Sequence, residues 1–372
     1  MIIVMKADVA EASPELGRII ALAHSFPGIT TQVHRVQGQA RGLTEIYLLG
    51  PTGVVPTQAF EEFESVEKVV RVTQKFRAIG RHDALDAASF EYRGVRIAQD
   101  TLHVFPGLCA VDTREHQEQV FAALGRAGIK TARAGAYKPR TSPYDFQGLG
   151  ARCLPWLFEL AGKHGIQIVT MEVTHEAHID EIQRALAEAG NPTGVMLQIG
   201  TRNAQNFELL KTVGAQTELP VLFKRGMGIS LEESLNACEY VASGGNRRIV
   251  FCLRGVKTHL GEPHRNLVDF AHVSVVQRLT RLPVCIDPSH SVGRRISGAD
   301  GLLDIFHVTA QGVITGANMV LVDVHPRPES ALCDGPQALL LGELPALLED
   351  IAITRAAYQA RLQAARARTA TA

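Results

Sequence analysis

The chain has 372 residues, enough for one large domain with a smaller companion and an ample core. Hydrophobic residues make up 46% and charged residues 20%, and 38 basic side chains balance 38 acidic ones. No global field therefore favours nucleic acid or an anionic membrane, and any anion binding has to be local.

Residues 2–74 alternate as strand (2–6), helix (14–25), strand (30–36), strand (44–49), helix (57–64) and strand (66–73). This βαββαβ order is the ferredoxin-like pattern, with Leu16, Ile19, Ile20 and Ala23 at helical spacing. The segment carries no cluster of catalytic side chains, so a binding, regulatory or oligomerisation module is expected at 1–74. A polar connector over 75–88 marks the boundary with a second domain, 75–372. The run FEYRGVRIAQDTLHVFPG then alternates around Gly94, predicting a short hairpin that leads into a strand.

From there strand and helix patterns alternate to the end. Strands are expected near 102–106, 130–134, 166–171, 195–199, 219–223, 248–252, 282–286 and 318–323, separated by amphipathic stretches such as EHQEQVFAALGRAG and LEESLNACEYVASGG. Eight strand–helix repeats in about 270 residues predict a (β/α)8 barrel. A doubly wound open sheet is the competitor, and no GxGxxG follows a first strand to support it.

The N-terminal MIIVMKADVAEASPELGR lacks a cationic segment followed by a long apolar run, and no later apolar run approaches the roughly twenty residues of a membrane span. A soluble, cytoplasmic protein is expected. The six cysteines form no CxxC pair, which argues against a disulfide scaffold or a zinc ribbon. Each alone reads as a reduced, buried residue.

The most informative stretch is RAGAYKPRTSPYDFQGLG, residues 133–150. Arg133, Lys138, Arg140 and Thr141 fall within nine positions, stiffened by Pro139 and Pro143, and such forks and point charges suit phosphate or carboxylate oxygens. A solvated basic loop is the commoner fate of such a cluster. In a (β/α)8 barrel, however, chemistry gathers just past the strand ends, and this chain has polar groups past all eight. They are Cys109, Arg133–Thr141, Glu172, Arg202 with Asn203, Lys224 with Arg225, Arg254 with Lys257, Asp287–His290, and Asp323 with His325 and then Asp334. Two sets emerge. Arg133, Lys138, Arg140, Arg202, Lys224 and Arg254 carry more positive charge than one phosphate needs. Cys109, His290, Asp323 and Asp334 combine a thiol, an imidazole and two carboxylates, a plausible divalent-metal set. Taken singly, Cys109 reads as a core thiol and Asp323 as a cap.

The runs GAYKPRTSPYDFQGLG, LQIGTRNAQNFELLK, PVLFKRGM, IDPSHSVGRR and VDVHPRPESALCDG resemble the 3-deoxy-D-arabino-heptulosonate 7-phosphate (DAHP) synthases, in the subgroup with an N-terminal ferredoxin-like domain. The resemblance spans nearly the whole chain. It implies condensation of phosphoenolpyruvate with erythrose 4-phosphate, the entry step to aromatic amino acids, and a divalent metal (manganese, iron, cobalt or zinc). It places Cys109, His290, Asp334 and Asp323 on ligand positions, Arg133, Lys138, Arg202, Lys224 and Arg254 on phosphoenolpyruvate, and Arg140 and Thr141 on the aldose phosphate. Lys138, Glu172 and Asp287 are the catalytic candidates. A homo-oligomer, dimer or tetramer, and an aromatic amino acid effector on the small domain are also implied.

Departures cluster around the metal set. The family's GPCSVE reads GLCAVD, its GARN reads Gly200–Thr201–Arg202–Asn203, its CERG reads Cys252–Leu253–Arg254–Gly255, and its EVHP begins with Asp323. An aspartate in place of glutamate shortens the ligand arm by one methylene, although metal–oxygen distances tolerate only a few tenths of an ångström. Three readings follow: a metal-dependent DAHP synthase, the same aldol chemistry on another aldehyde, or a non-catalytic protein that binds phosphorylated ligands.

Overall fold

The computed structural model describes residues 1–6, 13–37, 42–71, 76–81 and 87–370. The expected boundary at 74/75 lies outside the described residues. Among the described residues no helix is long and apolar enough to cross a membrane.

The small unit contains β1 (Ile2–Met5), α1 (Pro14–His24), β2 (Thr30–Gln37), β3 (Gly42–Leu49), α2 (Gln58–Glu61) and β4 (Val66–Val70). Its sheet runs β2-β3-β1-β4 and is antiparallel throughout, the ferredoxin-like order. Helix α1 starts at Ser13, whose hydroxyl accepts from the Glu15 amide, with Pro14 at the first helical position where its missing N–H costs nothing. Its apolar stripe of Leu16, Ile19 and Ala23 packs on Ile3, Met5, Ile46 and Phe60. Helix α2 is shorter than the expected 57–64, because the chain leaves the helix in turns closed by Phe63 N–H to the Phe60 carbonyl and Val66 N–H to the Phe63 carbonyl.

All four residues of β1 are buried, so both faces of the sheet are covered. The face away from the helices carries Ile2, Val4 and Tyr47 and meets the second unit. There the fully buried Glu45 accepts from Tyr47 Oη at 2.7 Å and from Arg281 at 3.2 Å, and Arg247 stacks 3.9 Å over the Tyr47 ring.

The second unit opens with a hairpin, β5 (Phe90–Tyr92) and β6 (Val95–Ile97). Arg93 and Gly94 form its turn, both at positive φ, the geometry of a two-residue hairpin loop. Eight parallel strands follow: β7 (His103–Leu108), β8 (Thr131–Ala134), β9 (Ile168–Val173), β10 (Gly194–Ile199), β11 (Val221–Lys224), β12 (Ile249–Leu253), β13 (Val284–Ile286) and β14 (Met319–His325). They pair in sequence order, and β14 pairs with both β13 and β7, which closes the barrel. The hairpin plugs the N-terminal end: Phe90, Val95 and Ile97 pack on Phe105, Ile168, Met196, Leu222, Val250 and Met319. Arg247 and Arg281 precede β12 and β13, so the small unit docks at this same end. The opposite end is left to the loops after the strands.

Strand β9 runs two residues later than expected, which puts Glu172 inside the strand rather than past it. Asp323 and His325 likewise belong to β14.

Candidate active site

At the C-terminal mouth a cavity of about 150 Å³ is lined by Lys138, Pro139, Arg140, Thr141, Asp145, Glu172, Gly200, Thr201, Arg202, Lys224, Arg254, Arg265, His290 and Asp334. Of the expected cations, Arg133 lies deeper and the other five are on the wall. The outer part is built from the 139–145 turn and the start of the 3-10 turn at Thr201–Asn203. Arg140 bonds Asp145 at 3.1 Å and Arg202 bonds the Thr141 hydroxyl at 3.1 Å. Inside, Arg254 is 3% exposed, and its NH1 has no hydrogen-bond partner among the described residues. Burial lowers its pKa, against the upward pull of Asp287 and Asp269, and a buried guanidinium with an unpaired N–H is suited to an anionic ligand. Glu172 accepts from Gln198 at 3.3 Å and lies against Gly200, where a side chain would collide with the carboxylate. Lys257 is exposed and stands away from the cavity, and Arg225 is spent on Asp269 at 2.7 Å.

Beneath the cations lies the second set. Cys109 Sγ donates to Asp334 Oδ2 at 3.1 Å and lies 3.7 Å from His290 Nε2, which is itself 3.7 Å from Asp334 Oδ2. Lys138 Nζ donates to Cys109 Sγ at 2.8 Å and reaches Asp334 at 3.2 Å. Burial weakens the Lys138 charge, but Cys109 and Asp334 outweigh it and hold the ammonium protonated. Asp287 is fully buried, caps the short helix α3 (Pro288–Val292), and bonds His290 Nδ1 at 3.0 Å and Lys224 Nζ at 2.6 Å. With Nδ1 so engaged, His290 turns Nε2 toward Cys109 and Asp334. Burial, the largest single influence, opposes its protonation, but Asp287 together with Asp323 and Cys109 outweighs it and lifts the imidazole to about 10. Asp323 sits beside this group: Arg133 pairs with its Oδ1, and Gln337 donates to its Oδ2 at 2.5 Å.

Three donors held 3.1–3.7 Å apart match the edges of a tetrahedral shell, roughly 3.3–3.5 Å for metal bonds of about 2.0–2.3 Å. With a thiol, an imidazole oriented by a carboxylate and a further carboxylate, the residues present fit a divalent transition metal.

The DAHP synthetase I family matches residues 73–358, the barrel together with its plugging hairpin. The chain belongs to that family. The phospho-2-dehydro-3-deoxyheptonate aldolase of Thermotoga maritima is 36% identical over 339 residues, covering 91% of this chain and 93% of its own. A 2-dehydro-3-deoxyphosphooctonate aldolase of Nitratidesulfovibrio vulgaris is 30% identical over 260 residues, 67% of this chain and 90% of that one. The crystal structure of the Thermotoga DAHP synthase superposes with a TM-score of 0.67 at 34% identity, covering 94% of this chain and 95% of that one. A truncated form of the Thermotoga protein covers 74% of this chain and 95% of its own, with a TM-score of 0.64 at 33% identity.

Within this DAHP synthetase family chain the structure adds residues and contacts that the sequence reading did not bring together. Arg265, far along the loop after β12, bonds Asp334 at 3.2 Å and Gln337 at 2.9 Å. Cys333 bonds Asp334 Oδ2 at 3.2 Å from the adjacent position. Asp112, three residues past Cys109, accepts from His325 at 2.9 Å and from His116 at 3.1 Å, and Arg327 closes the group on His116 Nε2 at 2.8 Å. The second nitrogen of His325 accepts from the Arg327 amide at 3.0 Å, so each of the two rings has both nitrogens partnered and shares the Asp112 carboxylate. This buried group ties the loop that carries Cys109 to the strand that carries Asp323. A signal for it was present in GLCAVD, where the carboxylate arm is also shortened.

Proposed function

We propose that the chain condenses phosphoenolpyruvate with erythrose 4-phosphate to DAHP and phosphate, with a divalent metal held by Cys109, His290 and Asp334 beside Asp323. The observation that carries this reading is the juxtaposition of that donor set, 3.1–3.7 Å across, with a cavity walled by Lys138, Arg140, Arg202, Lys224, Arg254 and Arg265. A barrel that needed only one phosphate would not gather six cations at one mouth. The heptonate acceptor is favoured over an octonate-type one because similarity to the Thermotoga enzyme extends through the small unit, whereas the octonate relatives match 57–71% of the chain.

Arg254, Lys224 and Arg133 hold the phosphoenolpyruvate anions deep in the barrel, and Arg140 with Thr141 and Arg202 hold the aldose phosphate at the rim. Bound there, the metal supplies Lewis acidity toward the aldehyde oxygen. The enol carbon C3 forms the new C–C bond, water adds at C2, and the C2–O bond to phosphate breaks. Lys138, ammonium side facing Cys109 and Asp334, donates toward the developing alkoxide or stabilises it electrostatically. Glu172, on the cavity wall, is the base we assign to the attacking water. Asp287 acts by holding His290 and Lys224 in place.

The proposal extends to a homo-oligomer in the cytoplasm whose small unit binds an aromatic amino acid. Added tyrosine or phenylalanine that changes neither rate nor assembly would remove that last part. The central test is phosphate release with both substrates and a series of divalent metals, with mass analysis of the product. Turnover only with metal and erythrose 4-phosphate is expected, and no turnover with any metal would sink the reading.

A further inference from the structure

The metal set has a thiol neighbour that nothing above uses. Cys333 is 7% exposed, directly precedes Asp334 and packs with Cys109 and Ala110 under Phe146. Side chains of adjacent residues in an extended segment point to opposite sides. Here Asp334 adopts the left-handed conformation, φ 54°, and the turn brings both residues to one centre. The Cys333 thiol donates to Asp334 Oδ2 at 3.2 Å, and the ligand atoms of Cys109, Cys333 and Asp334 all lie within 4.8 Å of one another. Asp323 also lies within 4.8 Å of Cys109 and His290, but its Oδ2 accepts from Gln337 and its Oδ1 is ion-paired with Arg133, so using it as a ligand competes with those two contacts. Its arm is one methylene shorter than the glutamate of the family pattern.

We infer that Cys333 is a ligand of the metal, a second thiolate that completes the shell where the shortened Asp323 falls short. The inference rests on the metal site proposed above and adds a donor to it. Binding releases the two thiol protons as two metal–sulfur bonds form. Lys138 beside Cys109 and Arg133 beside Asp323 offset the extra negative charge. Two thiolates make the site softer, so zinc, iron(II) and cobalt(II) are preferred over manganese or magnesium, which favour oxygen donors.

The test is X-ray absorption of the full chain loaded with one zinc, together with visible and near-ultraviolet spectra of the cobalt form. Two sulfur scatterers per zinc are expected in the unaltered chain and one in Cys333→Ser. The thiolate-to-cobalt charge-transfer intensity of that variant should fall by about half, and its zinc affinity about tenfold or more, with manganese affinity nearly unchanged. The unaltered chain needs no substitution to be informative, and equal melting of the metal-free forms checks the fold of the variant. One sulfur per zinc in the unaltered chain overturns the inference and leaves the metal site standing. Failure to retain any metal overturns both.

Discussion

Arg254 shows how a single side chain can be unfavourable in the free protein and necessary in the complex. Its guanidinium is buried with NH1 unpartnered, a state that costs stability until an anion arrives. Arg254→Ala should therefore lower kcat/KM for phosphoenolpyruvate by about 10²-fold or more while the ligand-free chain melts at the same temperature or higher. A clear drop in melting temperature would make Arg254 a structural residue instead. Lys138→Met keeps the reach and removes the proton and charge. We expect kcat to fall by about 10²–10⁴ with KM for phosphoenolpyruvate little changed; a loss confined to KM would restrict Lys138 to binding. These two residues were legible in the sequence because a strand-end position in this fold carries meaning by itself. Asp112 with His325, Gln337 with Asp323 and Arg265 with Asp334 were not, because each contact depends on how side chains of separate loops interlock. Cys333 was hidden for a different reason: its use depends on the left-handed turn at Asp334, which the run ALCDG does not announce.

At the scale of strands, the site depends on how closely β7 and β8 approach. Gly107 has φ 153°, and a Cβ there would lie 2.1 Å from the Arg133 carbonyl oxygen. No backbone shift can absorb that without parting the two strands at the level where Cys109 and Arg133 emerge. Gly107→Ala should cost about 3 kcal/mol, read from the denaturation midpoint, and should weaken metal binding as well. A variant that keeps its midpoint would mean the strand ends are more compliant than their hydrogen bonding suggests. The barrel itself was readable because each strand is a short apolar run followed by turn and helix signals, which repeat eight times. The limits of single elements were less so. Periodicity places β9 at 166–171, but the chain enters the sheet at Ile168, where the Gln167 and Ile168 amides both turn to the Lys130 carbonyl. Helix α3, five residues long, is too short to show any period and is set by Asp287 capping the His290 amide at 3.1 Å.

Over the whole molecule, the small unit and the chemistry occupy opposite ends of the barrel. Glu45, Tyr47 and His34 face Arg247 and Arg281 below β12 and β13, and among the described residues no side chain of the small unit lines the cavity at the mouth. The contact is sensitive to acid. His34 stands edge-on to Tyr47 at 5.1 Å between ring centroids, and its Nε2 has no hydrogen-bond partner among the described residues. Burial first, and then Arg247, lowers it to about 4, against a smaller upward pull from Glu45. Between about pH 6.5 and about 4 the unfolded chain therefore takes up a proton here that the folded chain refuses, and stability present above that window is lost as pH falls through it. Replacing His34 by glutamine removes the titration, so its unfolding midpoint should fall less steeply over that range than that of the unaltered chain. Glu45→Gln should weaken docking at every pH, because it leaves Arg281 buried without its anion, a loss of about 3–5 kcal/mol. Resistance of the full chain to limited proteolysis reads both effects. Identical pH slopes in the two chains would remove His34 from the account. A Glu45→Gln chain that stays protected would remove the ion pair. Because docking is at the plugged end, an undocked small unit should leave turnover by the barrel unchanged. A parallel loss of activity would require the two ends of the barrel to be coupled through its strands.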